Sequence, residues 1–94
     1  MPYSDVTFRN DIGRTIRLGW CANDPTCRHV HHWIAIDPGA EATEQIPSDG
    51  LALRRFVAVG PPEVVYGCFT FRLDGRQPER VLSISTARGC GSGR

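Results

Sequence analysis

Five residues between positions 21 and 32 carry side chains that ligate metals or cross-link chains: Cys21, Cys27, His29, His31 and His32. In an extended strand Cys27, His29 and His31, two apart in sequence, project from one face. A hairpin that sets Cys21 opposite Cys27 gathers four donors, and Cys21, Cys27, His29 and His31 could then hold zinc through thiolate and imidazole. The spacing is not that of a zinc finger or ribbon. Cys27 and His31 also stand about 13 Å apart along a straight strand, so one ion reaches both only across a bulge. The competing chemistry is a Cys21–Cys27 disulfide beside solvated histidines. That is the preferred reading, with zinc as the alternative and no other cofactor indicated. His32 has the parity of a core residue.

Cys68 and Cys90 make a second pair, assigned to each other by elimination. As a nucleophile Cys68 lacks a placed base or oxyanion motif. Ser92, within Gly-Cys-Gly-Ser-Gly, lacks the helix that a nucleophile elbow requires. No phosphate-binding glycine loop, paired-carboxylate arrangement or metalloprotease helix is present. The expectation is a protein that is not an enzyme.

Arginine and aromatic residues offer binding chemistry instead. All eleven basic residues are Arg; a GC-rich coding bias is the preferred explanation, and Arg is also the side chain suited to gripping carboxylate or phosphate. Arg9, Arg14 and Arg17 form an expected outer patch on a first hairpin, with Arg28 beyond it. Arg54-Arg55 and Arg72 with Arg80 are further candidates. Tyr3, Trp33 and Tyr66 add exposed aromatics of the kind that anchor protein partners. Outward parity in neighbouring strands selects Arg9, Arg17, His31 and Trp33 as the contact residues.

These side chains must be positioned by strands. Residues 5–9 alternate, with Val6 and Phe8 on one side. Residues 14–21 do the same with Ile16, Leu18 and Trp20, and 28–36 with Val30, Ile34 and Ile36. Turn residues intervene at Asn10–Gly13, Asn23-Asp24-Pro25, Asp37-Pro38-Gly39, Asp49-Gly50, Pro61-Pro62 and Asp74-Gly75 to Pro78. A weak edge segment at 42–46 stops at Pro47, an apolar strand at 51–59 is broken by Arg54-Arg55, and 64–73 and 80–87 complete the series. No apolar pattern of helical period persists. The chain therefore reads as an all-β, immunoglobulin-like sandwich of six or seven antiparallel strands, spanning 1–88 with a flexible tail at 89–94.

Two hairpin registers follow from matching apolar faces. The first sets Leu18 against Val30, Ile16 against His32, Arg17 against His31, Gly19 against His29 and Cys21 against Cys27. The second sets Phe71 against Leu82 and Phe69 against Ile84. The expected core is Val6, Phe8, Ile16, Leu18, Trp20, Ile34, Ile36, Val57, Phe69, Phe71 and Ile84.

Composition narrows the function classes. Ninety-four residues with 40% hydrophobic and 22% charged content make one small globular domain. A formal net charge of +1 argues against nucleic acid and anionic lipid as partners. No apolar run approaches the roughly 20 residues of a membrane span, and no charged-then-apolar opening marks a signal peptide. Four cysteines nevertheless point towards a secreted or surface module.

Val6-Thr7-Phe8 followed by Asn10, a second strand ending in Trp20, and Ile36 followed by Pro38-Gly39 together resemble the β-domain of the von Hippel–Lindau family over residues 6–59. The resemblance implies the architecture alone, a seven-stranded sandwich; in that family the β-domain recognises a hydroxylated proline peptide. The helical extension which that family uses for its ubiquitin-ligase partner has no counterpart here, and no functional residue transfers. The expected function is a binding module that takes a protein or peptide partner through a sheet face or loop end. The alternatives are the small zinc domain and a structural subunit that self-associates through edge strands.

Overall fold

Alternating burial along Tyr3–Arg9 makes the first strand, β1, with Ser4, Val6 and Phe8 turned inward. A computed structural model describes residues 3–22, 24, 27–48, 53–61, 64–73 and 80–90. After β1 come β2 (Ile16–Ala22), β3 (His32–Ile36), β4 (Glu41–Pro47), β5 (Arg54–Gly60), β6 (Val64–Phe71) and β7 (Arg80–Ser83), then a 3₁₀ turn at Ile84–Thr86. They form two sheets, one of three strands in the order β4-β1-β7 and one of four in the order β3-β2-β5-β6. The all-β sandwich expected from the sequence is the fold found. Among the described residues no helix is long and apolar enough to cross a membrane.

The core lies between the sheets. Phe8 of β1 meets Phe56 and Phe69 of the opposite layer at ring-centroid distances of 4.7 and 5.5 Å. Val6, Ile16, Leu18, Ile36, Ile46, Ala58, Phe71, Leu73 and Ile84 are buried with them, and Trp20 and Ile34 pack against this set half-buried. Tilted aromatic pairs of this kind add to the gain from burial alone.

β1 and β2 are not a hairpin. The chain crosses between layers at Asn10, whose buried side chain donates to the carbonyls of Arg14 and Ile36, each at 2.8 Å, and accepts from the Ile12 N–H. An amide suits this corner because it donates and accepts at once. Gly39, with φ of 79°, closes the Asp37–Ala40 turn and donates to the Asn10 carbonyl. Left-handed backbone there favours glycine.

Both expected registers are corrected. β2 pairs with β3 as Ile16↔Ile36, Leu18↔Ile34, Gly19↔Trp33 and Trp20↔His32. This is four residues from the expected alignment, so residues 32–36 keep their parity while every partner changes; Val30 and His31, which precede the strand, change sides, Val30 packing on the outer face and His31 turning towards Trp20. The cause is that the strand begins at His32 rather than at residue 28. β6 pairs with β5, not with β7, and β7 runs parallel to β1 as Val6↔Arg80 to Arg9↔Ser83. Phe69, Phe71, Leu82 and Ile84 still meet, but across the interior rather than along a ladder. Apolar matching cannot tell these two arrangements apart.

Further corrections concern β5 and the last strand. Arg54 and Arg55 open β5 rather than break it, and its inward aromatic is Phe56, whereas Val57 faces the other side of the sheet. The last strand ends at Ser83, where the 3₁₀ turn begins. Arg88 then pairs with Cys68, and Cys90 is bonded to it, so 89–90 belong to the sandwich. Residues 91–94, with Ser92, lie outside the described residues. So do, wholly or in part, the turns expected at Asn23–Pro25, Asp49-Gly50, Pro61-Pro62 and Asp74–Pro78.

Candidate functional site

Strand parity places Arg17, Gly19 and Cys21 of β2 on the outer face of the four-stranded sheet, with Trp33 of β3 beside Gly19. The absence of a side chain at Gly19 shapes this face. A Cβ there would stand 2.8 Å from Trp33 Cζ3 and 2.8 Å from Val30 Cγ1, so both groups lie where any other residue would project. The indole therefore rests on the backbone of β2, and the Arg17 guanidinium stacks over it at 4.9 Å from the centroid. Trp33 remains 44% exposed.

Next to Val30 the same face carries a small second cluster of Cys21, Val57, Val59 and Cys68, against which Cys27, Val30 and Cys90 pack. Two chain segments cover it, each tied down by a disulfide. Cys21–Cys27 spans 5.1 Å between Cα atoms and Cys68–Cys90 spans 5.0 Å. Both expected pairings are present. Cys27, however, is not the ladder partner of Cys21. It sits in a loop with φ of 52°, and Asp24 organises that loop by accepting from the N–H groups of Arg28 and His29 at 3.1 and 3.2 Å. At the other segment Gly67 admits the backbone of Arg88, whose carbonyl would lie 2.7 Å from a Cβ at position 67.

The four expected contact residues are not brought together as a set. Arg17 and Trp33 do meet. Arg9 lies in the other sheet, where its Nε contacts Glu41 Oε2 at 2.7 Å across the β1–β4 pair. His31 precedes β3, gives its N–H to the Trp20 carbonyl at 2.8 Å, and turns its ring towards Trp20 rather than Arg17, whose ladder partner is Ala35. His32 also meets Trp20 edge-on and reaches Glu44 Oε1 at 3.0 Å. Of the remaining candidates, Tyr3 is exposed, whereas Tyr66 packs against the core and over Gly60.

The alternative metal set loses both sulfurs to the Cys21–Cys27 disulfide. Among the described residues no group of three or more His, Cys, Asp or Glu side chains is placed to hold a metal ion. Sequence reasoning missed Gly19 and Val30 as the supports of Trp33. A glycine inside an alternating strand was the available signal, since such a residue often marks a close approach.

The arrangement offers a half-exposed indole clamped by a cation, beside a disulfide-bound loop that presents Arg28 and His29 to solvent. Compared with known proteins, the chain matches no protein family, no curated protein and no solved structure.

Proposed function

We propose that this domain is a non-catalytic binding module that takes a protein or peptide partner on the outer face of its four-stranded sheet, with Trp33 and Arg17 at the centre. The observation that carries this reading is the fixed, half-exposed Trp33, held from beneath by Gly19 and from above by Arg17. A large side chain ordered before binding loses little further entropy in a complex, and Trp and Arg are the residues on which binding energy concentrates.

Selection of a displayed random-peptide library on the oxidised protein tests it. Peptides that enrich should lose about thirtyfold in affinity against Trp33→Ala, as expected for a hot-spot residue. Arg9→Ala, in the other sheet, should leave them unchanged. Failure to enrich any peptide, or binders indifferent to Trp33→Ala, overturns the proposal.

A further inference from the structure

The sandwich is open along the side where β6 of one sheet and β7 of the other are both edge strands. Cys68 exchanges backbone hydrogen bonds with Arg88, its N–H to the Arg88 carbonyl at 2.6 Å and the Arg88 N–H to its own carbonyl at 3.0 Å. The bridge is isolated, a single rung. In an antiparallel ladder the backbone groups of residue i+2 point the same way as those of residue i. The N–H and C=O of Thr70 therefore face out of the same edge as those of Cys68. Continued by one more rung, the ladder would set Thr70 opposite Thr86. The chain instead curls into the 3₁₀ turn Ile84–Thr86. Between Thr70 and Thr86 lies a cavity of about 380 Å³, with Phe71 and Leu82 among the apolar residues of its wall and Arg80 and Arg88 among the charged ones.

Among the described residues, the charged side chains that line this cavity are Arg80 and Arg88. Arg80 lies over the Phe71 ring at 5.4 Å, and the side chain of Arg88 is exposed. Arg55, the ladder partner of Thr70, is only 7% exposed and donates from Nη2 to the Cys90 carbonyl. Its Nε has no acceptor among the described residues, and a carbonyl does not neutralise a guanidinium. Asp11, the acid bound to the 3₁₀ turn through Ser85, is not among the residues that line this cavity.

We infer that this edge is a second binding site, separate from the Trp33 face, and that it takes an extended acidic peptide segment. The segment pairs its backbone with Thr70 as an added strand, seats an apolar side chain on Phe71 and Leu82, and directs Asp or Glu towards Arg88. Strand addition supplies affinity through main-chain bonds, and the pockets for alternate side chains supply selectivity. The missing rung provides the edge, and Arg88 chooses the sign of the partner.

A positional-scanning array of acetylated heptapeptides is the probe, read with the oxidised wild type and three variants. Selected peptides should carry Asp or Glu and exclude Pro at positions that must donate to the edge. The selected consensus peptide should bind about tenfold more weakly to Arg88→Glu, since charge reversal replaces attraction with repulsion. Thr70→Pro removes the outward N–H without touching a β5–β6 ladder bond and should weaken binding comparably. Its fold is checked by the melting transition, and Arg88→Glu keeps the test decisive if it unfolds. Trp33→Ala should leave this peptide's affinity unchanged, which separates the site from the one proposed above. On binding, the Thr70 amide should become protected from hydrogen exchange. An array with no binder, a consensus without acids, binding insensitive to Arg88→Glu, or binding lost in Trp33→Ala would each overturn the inference.

Discussion

The two faces of the four-stranded sheet are held in different ways. Its inner face meets a second sheet, and the contact is made by interleaved rings, Phe8 against Phe56 and Phe69 and Phe56 against Phe71. Its outer face meets no sheet. Val57 and Val59 are covered there by the segments around Cys27–Val30 and Arg88–Cys90, neither of which is part of a named strand. A segment of that kind buries too little apolar area to offset its own ordering entropy. A covalent tie reduces the entropy it must lose. Each disulfide accordingly has one cysteine in the sheet and the other in the covering segment. The comparison teaches that in so small a domain one layer is held by packing and the other by tethering.

Breaking the packed face should have the largest effect. Phe56→Ala removes a fully buried ring that touches Phe8, Trp20 and Phe71, and should lower the unfolding free energy by about 3–5 kcal/mol. For a domain of this size that leaves little or no folded population. Urea denaturation followed by tryptophan fluorescence measures it. A loss below 1.5 kcal/mol, which is about the upper limit for a volume-conserving swap, would mean the rings do not carry the core.

Breaking the tethers should do less, and in a definite order. Cys68–Cys90 closes 22 residues and Cys21–Cys27 closes 6. On the chain-entropy account the paired alanine substitutions should lose about 3 and about 2 kcal/mol respectively. Hydrogen exchange should show the loss of Cys68–Cys90 freeing the Arg88 amide before any core amide. If both pairs came out equal, or if the core opened together with the segment, the two faces would be one cooperative unit and the contrast would fail.

The smallest effect belongs to the rim where the layers are clasped. Asp11 accepts from the hydroxyl and the N–H of Ser85, and these bonds, the hydroxyl first, hold its carboxyl below the ordinary value of 3.8. The folded state therefore favours the ionised form. The stabilisation is complete above pH 3.8 and is lost as the pH falls through the folded-state value. Asp11→Asn should melt below the wild type at neutral pH, and the gap should close on acidification through that window. A gap that stays constant would show that the carboxylate charge does not matter to the clasp.

Legibility in the sequence follows the same division. Where apolar side chains alternate with polar ones, as at Val6/Phe8 and Ile16/Leu18, alternation alone identifies the inward residues. β5 is buried on both faces, so Phe56-Val57-Ala58-Val59 shows no period, and nothing in it marks Phe56 rather than Val57 as the residue that meets the other sheet. Register was less accessible. Shifting the register by four residues preserves the facing of 32–36, and the bonds from Asp24 that hold residues 28 and 29 out of the strand, and so let Val30 and His31 change sides, have no signature in a run of Cys, Arg and His. The cysteine pairing was recovered because proximity suffices for a disulfide, even though Cys27 lies in a loop. Of the candidate site, Arg17 and Trp33 could be paired from outward parity. Arg9 could not be excluded, because nothing in Asn10–Thr15 announces that the chain changes sheets.

The parallel pairing of β1 with β7 also governs how the domain bears tension. In a parallel ladder of terminal strands, a pull through the flanking ends of the chain would drag Val6–Arg9 and Arg80–Ser83 past each other lengthwise, loading all their rungs at once. The Cys68–Cys90 bond reroutes that force. Tension arriving at Cys90 passes through sulfur into β6 and leaves β7 slack. Oxidised, the domain carries load through the four-stranded sheet; reduced, it carries load through the β1–β7 clamp.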